Sequence, residues 1–360
     1  MVSAARRSGL ILASEVIVAL AVAAVLAAGC GSPPRHLAQT PATSSAPVRS
    51  TAVVPSTTAP ATAPPRRAAP LGVDGRYGVG ERRMIFAEPA RVGVTGQHVG
   101  ERSVLTVIRY PMDRGSSGSW PAGGPFPLIM FAPGFRQCSS TYESLLQAWA
   151  SAGYVVASVD FPRTSCQVAS TAYEPDLVNQ PADMSYVLGS LLALNAQPGD
   201  FLSGRLNPRQ VAAAGQSDGG DTVAALAAST CCQDRRLKAV AVLSGAEWPP
   251  MPGAYFTGAA PPMLFVQGSA DTINPPWTSL QMYRADTASP RYYLDLFGAD
   301  HMVPYTGDNP VERLVARITL AFFGRYVLGH ASALTTVAQA ANGSGIAALD
   351  SGGRLPAGTG

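Results

Sequence analysis

The run Val211-Ala-Ala-Ala-Gly-Gln-Ser-Asp-Gly-Gly220 constrains this chain more than any other stretch. A short apolar strand enters Gly-x-Ser-x-Gly, and an Ala-rich helical pattern follows from Asp221 to Ser229. A strand that turns into a helix through this pentapeptide leaves no room for side chains at Gly215 and Gly219. The serine between them is forced into a strained conformation, with its hydroxyl exposed at the carboxyl end of the strand. Ser217 is therefore the candidate nucleophile.

The remaining periodicity supplies a frame for that turn. Strands are expected at Val104–Arg109, Pro127–Phe131, Tyr154–Val159, Gln210–Ala214, Ala239–Leu243, Met263–Gln267 and Tyr292–Leu296. Helices are expected at Thr141–Ala152, Ala182–Leu194, Pro276–Arg284 and Val311–Tyr326. Near-continuous apolar strands alternating with helices imply an α/β fold, with a mostly parallel central sheet covered by helices on both faces. The folded domain spans residues 71–330, and 331–360 reads as an Ala/Gly-rich tail, loosely ordered at its end. The segments Phe161–Pro181 and Glu247–Pro262 are the loops expected to shape a pocket.

The N-terminus reads as an export device. Arg6 and Arg7 precede an apolar run, Val16–Ala28, and Ala27-Ala28-Gly29-Cys30 has the form of a small-residue cleavage site ending on cysteine. This resembles a bacterial lipoprotein signal over residues 1–30, in which Cys30 becomes the lipidated first residue. Leu26 and Glu15 depart from that pattern. The alternative is an uncleaved anchor, but a membrane-spanning helix needs about 20 apolar residues. Residues 31–70, rich in Pro, Ala, Thr and Ser, cannot bury enough apolar surface to fold and read as a disordered tether with a reach of roughly 35 Å. The expected location is outside the cytoplasm, on the membrane, with a single chain as the working unit. The formal net charge of +3, with no dense basic run, gives no reason to expect a nucleic-acid partner.

Export permits disulfides. Apart from Cys30 the chain has Cys138, Cys166, Cys231 and Cys232. The strand plan puts Cys138 and Cys166 in loops at the carboxyl ends of neighbouring strands, so that pair is favoured. Cys231 and Cys232 are either a vicinal disulfide or two buried thiols. None of the spacings suggests zinc.

A serine nucleophile needs a base. Of four histidines, His36 lies in the tether, His98 precedes the core strands and His330 follows the last helix. His301, in the loop after the last strand, remains. The base needs a carboxylate to hold its tautomer, and Asp271 in Gly268-Ser-Ala-Asp271 follows the strand Met263–Gln267. Glu247 and Asp300 are its rivals. The third need is a pair of backbone donors for the oxyanion: the N–H of Asp218, after the nucleophile, and that of Phe135, in the turn Phe131-Ala-Pro-Gly-Phe135.

The chain resembles α/β-hydrolases of the group that contains dienelactone hydrolases, platelet-activating-factor acetylhydrolases and bacterial cutinase-like polyesterases. The resemblance covers about Leu71 to Gly329 and is carried by Phe131-Ala-Pro-Gly-Phe135, Ala152-Gly-Tyr-Val-Val-Ala-Ser-Val-Asp160, Gly215-Gln-Ser-Asp-Gly-Gly220, Gly268-Ser-Ala-Asp271 and Asp300-His301. The order Ser217, Asp271, His301 is that of α/β-hydrolases. The resemblance implies an α/β-hydrolase fold, no metal or organic cofactor, and an acyl pocket flanked by Phe135 and Trp248. Such relatives carry His and Met beside the serine, where this chain has Gln216 and Asp218. The carboxylate of Asp218 is expected to point away from the oxyanion or to pair with Arg136, and to disfavour anionic substrates.

The expected function is an exported serine carboxylic-ester hydrolase acting on a small-molecule, lipid or polymer ester through an acyl-enzyme. The alternatives are a thioesterase or lipid-directed acyl hydrolase or transferase with the same triad, and a non-catalytic envelope lipoprotein that keeps the fold for binding.

Overall fold

The computed structural model describes residues 75–115 and 121–351. Residues 1–30 with Cys30 and residues 31–70, expected to be a signal and a tether, lie outside the described residues. The chain begins with β1 (Gly78–Glu88), two short paired strands β2 (Arg91–Val92) and β3 (His98–Val99), and β4 (Arg102–Met112). Then come β5 (Phe126–Ala132), α1 (Glu143–Ser151), β6 (Val155–Asp160), α2 (Gln180–Ala196), β7 (Leu206–Gln216), α3 (Asp218–Ala228) and β8 (Leu237–Leu243). The last elements are β9 (Met263–Gly268), α4 (Pro276–Ala285), β10 (Arg291–Leu296), α5 (Pro310–Tyr326), α6 (Ala333–Asn342) and β11 (Ala347–Ser351).

Nine strands form one sheet in the order β1-β4-β6-β5-β7-β8-β9-β10-β11. The six from β6 to β10 are parallel; at one edge β4 runs against β6 and β1 against β4, and at the other β11 runs against β10. Parallel strands covered on both faces show no alternation in burial, and β5, β8 and β9 are buried along nearly their whole length. The period of two appears instead in what each side chain meets. Met130, Ala213, Val240 and Phe265 pack with Val187 of α2, Val223 of α3 and Met282 of α4. Ile129, Phe131, Ala214 and Val266 pack on the other face with Trp149 of α1, Phe323 of α5 and Leu334 of α6.

The sheet register places the site. Ala132 of β5 pairs with Gly215 of β7, Gly215 with Val242 of β8, Leu243 with Val266 of β9, and Gly268 with Leu296 of β10. The parallel strands thus end close to one line, and the residues just beyond them gather on one edge.

Two expectations need correction. The segment expected to be a tail from residue 331 contributes α6 and β11, and Leu334, Ala341, Ala347 and Leu349 are buried in the core. Its Ala-rich composition hid an amphipathic helix and a short edge strand. The domain also gains β1, whose central Glu81-Arg82-Arg83 is charged because it lies on an exposed sheet edge. Cysteines form two disulfides: Cys138–Cys166, with an S–S distance of 2.03 Å, and the vicinal Cys231–Cys232. Among the described residues no helix is long and apolar enough to cross a membrane.

Candidate active site

Ser217 stands between the end of β7 and the start of α3 with φ 55° and ψ −127°. That conformation is strained for a residue with a side chain. It is imposed by packing: a Cβ on Gly215 would run into the carbonyl of Gly219, and one on Gly219 into the carbonyl of Ala132 at the end of β5. The Ser217 amide donates to Leu243 O at 3.0 Å, and Ser217 O accepts Asp221 N–H at 3.0 Å, so both ends of the turn are held.

Asp271 and His301 come from the loops that leave β9 and β10. Asp271 Oδ2 lies 2.7 Å from His301 Nδ1, and both residues are buried. Oδ1 accepts the amides of Ile273 and Asn274, each at 2.9 Å, and Oδ2 also accepts Gln267 Nε2–H at 3.0 Å. Burial pushes the Asp271 carboxyl up, but the hydrogen bond and charge of His301 and the two amides outweigh it and hold the carboxyl below the ordinary aspartate value. Of the two rivals, Asp300 turns its Oδ1 to the amides of Met302 and Val303. Glu247 lines a cleft instead. Asp271 is the carboxylate that reaches the ring.

The turn after β5 has the form an oxyanion site needs. Gln137 N–H closes onto Gly134 O at 3.0 Å and Arg136 N–H onto Thr164 O at 2.7 Å. The amide that precedes them, Phe135 N–H, has no acceptor among the described residues. The Cys138–Cys166 bridge braces this turn, and Cys166 N–H donates to Gln137 O at 3.3 Å. Asp218 N–H, at the open first turn of α3, is the second amide in place.

Of the two arrangements expected for the Asp218 carboxylate, pairing with Arg136 is not the one adopted. Arg136 does not pair with it; the guanidinium sits 5.0 Å from the Phe135 ring centroid in a cation–π contact. The Asp218 carboxyl is buried and its Oδ2 has no partner among the described residues. Burial, then repulsion from Glu174, push it up to about 7, against the pull of its own amide and of His301. Two residues past Glu174, Asp176 joins a buried ion pair in which Arg102 grips it at 2.6 Å and Asp183 of α2 at 2.7 Å.

Trp248 lines a cleft of about 340 Å³ together with Glu247, Met251, Tyr255 and Trp277. This cleft comes largely from the Glu247–Pro262 segment, as expected of it. Phe135 is not one of its walls, so the two residues do not bracket one cavity here. The Phe161–Pro181 segment contributes to a separate cavity with Gln97, His98 and Arg102. Among the described residues no group of three or more His, Cys, Asp or Glu side chains is placed to hold a metal.

Two contributors were not among the site residues expected from the sequence, where Tyr142 gave no signal and Gln216 appeared only as a departure from relatives. Gln216 and Tyr142 are buried against the catalytic turn: Tyr142 OH accepts Gly134 N–H at 3.1 Å and donates to Gln216 Oε1 at 2.7 Å. Gln216 then reaches His301. A glutamine before the serine and a tyrosine in a 3-10 turn are unremarkable residues until the fold brings them together.

The arrangement is a hydroxyl on a strained turn, a buried Asp–His pair and two open amides on one sheet edge. The family model described as PETase, PET hydrolase-like, matches residues 107–341. No curated protein matches the chain.

Proposed function

We propose, from the premise that this chain belongs to the PET hydrolase-like family, that it cleaves carboxylic esters through Ser217, His301 and Asp271. The chain is an ester hydrolase of the α/β-hydrolase type; the triad, the substrate and the location are our reading. The observation that carries the triad is the 2.7 Å contact between Asp271 Oδ2 and His301 Nδ1 on the strand edge that holds Ser217 at φ 55°.

The chemistry follows from the geometry. The ionised Asp271 accepts a hydrogen bond from Nδ1–H, which fixes the proton there and leaves a lone pair on His301 Nε2. Ser217 Oγ attacks the ester carbonyl as its proton passes to Nε2, and the Phe135 and Asp218 amides take the oxyanion. The imidazolium returns the proton to the departing alcohol, and water repeats the sequence on the acyl-enzyme. The cleft beside Trp248, Tyr255 and Trp277 offers apolar and aromatic walls for the flanking part of the ester. Ile273 beside Asp271, Trp277 in the first turn of α4 and Val303 just past His301 are 65, 64 and 44 % exposed. That rim favours a lipid or polymer ester over a small soluble one.

The location is proposed from the N-terminal residues: export, lipidation at Cys30, and a tether that holds the domain clear of the membrane. Replacing Cys30 by Ser is expected to move the protein from the membrane fraction to the soluble one. A protein that stays in the membrane has some other anchor.

A fluorophosphonate probe tests the enzyme reading. It should label wild type and leave Ser217→Ala unlabelled; equal labelling of both excludes Ser217 as the nucleophile. A series of p-nitrophenyl esters of rising chain length then tests the substrate reading, where a steep preference for acetate would remove the case for an apolar rim.

A further inference from the structure

The residue that holds the reactive nitrogen of His301 in this structure is Gln216, not Ser217. Gln216 ends β7 and its side chain is wholly buried. Its Nε2 lies 3.0 Å from the main-chain carbonyl of His301 and 3.2 Å from His301 Nε2. A carbonyl oxygen only accepts, so the nitrogen end of the amide must face His301. Tyr142 OH, which donates to Gln216 Oε1 at 2.7 Å, fixes the other end. The orientation of the amide is thereby settled from both sides.

The tautomer of the ring follows. Asp271 Oδ2 at 2.7 Å is an acceptor, so Nδ1 carries the proton and Nε2 of the neutral ring is a lone pair. One Gln216 N–H points to the His301 carbonyl and the other to that lone pair. Among the described residues Ser217 Oγ has no hydrogen bond to it. The lone pair engaged by Gln216 is the one that must take the serine proton.

We propose that Gln216 is a positioning residue that restrains the base: its amide holds His301 neutral and correctly turned, and is displaced from Nε2 each time Ser217 is activated. In that step the Ser217 O–H bond breaks as the bond from Oγ to the acyl carbon forms. The proton goes to Nε2, which becomes a donor and can no longer accept the Gln216 N–H. The second Gln216 N–H keeps its carbonyl partner, so the ring stays registered while the first is released. The device protects the neutral tautomer and opposes protonation of the ring, at a cost in rate. This inference rests on the triad reading above.

Other groups facing His301 are Asp271 from the loop after β9, Asp218 at the start of α3 with Glu174 behind it, and Tyr142 and Tyr305, whose phenols burial pushes far up and keeps neutral. Asp300 faces away, onto the amides of Met302 and Val303. The Asp218 carboxyl, pushed up to about 7 by burial and Glu174, has to be removed from the comparison.

The test is the pH dependence of kcat/KM for p-nitrophenyl ester hydrolysis by Gln216→Met, recorded in the wild-type and Asp218→Asn backgrounds. Methionine keeps the length and deletes the donor. Loss of one hydrogen bond to the neutral ring should move the acid limb up by about 0.4–1 pH units. A lower rate at every pH with an unmoved acid limb would show that Gln216 only braces the loop, and would overturn the proposal. Should Gln216→Met not fold, the proposal is read from 15N-histidine NMR of the full chain. The His301 Nε2 resonance should be that of a hydrogen-bonded acceptor and be unchanged in Ser217→Ala; a signal that moves with Ser217→Ala gives the lone pair to the serine and overturns it. A failure of the fluorophosphonate to label Ser217 in wild type overturns the triad reading. Labelling there, with an unmoved limb, overturns only the role of Gln216.

Discussion

Asp271 and His301 leave adjacent parallel strands, and their side chains close on each other at 2.7 Å although 30 residues separate them. The pairing depends on β9 and β10 ending in register at Gly268 and Leu296. Asp271→Asn keeps the shape but favours the wrong tautomer, and turnover should fall by about 10³–10⁴. Glu247→Gln, in the cleft beside Trp248, should stay within about threefold of wild type in turnover, a barrier change below ~0.7 kcal/mol. Steady-state hydrolysis of one ester by both variants distinguishes the two carboxylates; a collapse in Glu247→Gln would reassign the acid.

Asp218 makes a signed prediction about pH. Its folded-state carboxyl is pushed up to about 7 by burial and by Glu174, above the ordinary value of 3.8. The folded protein therefore holds a proton there that the unfolded chain has already lost. The stabilisation is complete below 3.8 and is lost as pH rises from there to about 7. Asp218→Asn should match wild type in thermal stability at pH 4 and exceed it at pH 8, by about 2–4 °C for each kcal/mol recovered. Above neutrality the variant should also turn over a neutral ester faster, by about three- to tenfold, since no charge then opposes the oxyanion. Melting curves at the two pH values settle the sign, and a variant less stable at pH 8 would contradict it.

The Cys138–Cys166 bridge closes a loop of 28 residues in sequence separation and braces the Phe135 turn. Cys166→Ser should cost about 3 kcal/mol of stability through the freed unfolded chain. Activity should fall more steeply than the folded fraction, because the Phe135 amide loses its anchor. Comparing the melting temperature with activity at 20 °C below it separates the two effects.

Gly219 lies against the Ala132 carbonyl, where a Cβ has no space. Gly219→Ala should destabilise by about 1–3 kcal/mol as β5 and α3 are driven apart. Ala132 belongs to the strand leading into the Phe135 turn, so turnover of the remaining folded protein should drop as well. A fully active and equally stable variant would mean that the elbow is looser than its geometry indicates.

Much of this architecture was legible because its signals are local. The apolar runs of β5, β7, β8 and β9 bury both faces and need no alternation, and the glycines flanking Ser217 report a turn that tolerates nothing larger. Elimination among four histidines singled out His301, which the fold sets 2.7 Å from Asp271. What escaped was what depends on edges and on contacts distant in sequence. β1 carries three consecutive charged residues because one side of it has no neighbouring strand. β11 is five residues long and exists through its pairing with β10. Gln216 was visible only as a departure from relatives, because its partners, Tyr142 and His301, lie 74 and 85 residues away. Asp218 was expected either to point away from the oxyanion or to pair with Arg136, and the aromatic face of Phe135 holds that guanidinium instead.

The family likeness stops at residue 341, ten residues before the sheet does. β11 covers the outer edge of β10, Ile346 O accepts the amide of Phe297, Asn342 brackets Leu349 through both its amide atoms, and Asp350 Oδ2 takes the Tyr283 hydroxyl at 2.8 Å. These last residues work as a selvedge, the finished border that keeps a woven cloth from fraying. A chain cut where the likeness ends would retain every residue of the candidate site and still offer the raw backbone of β10 to the next molecule. It would be lost to self-association before its chemistry could be assayed.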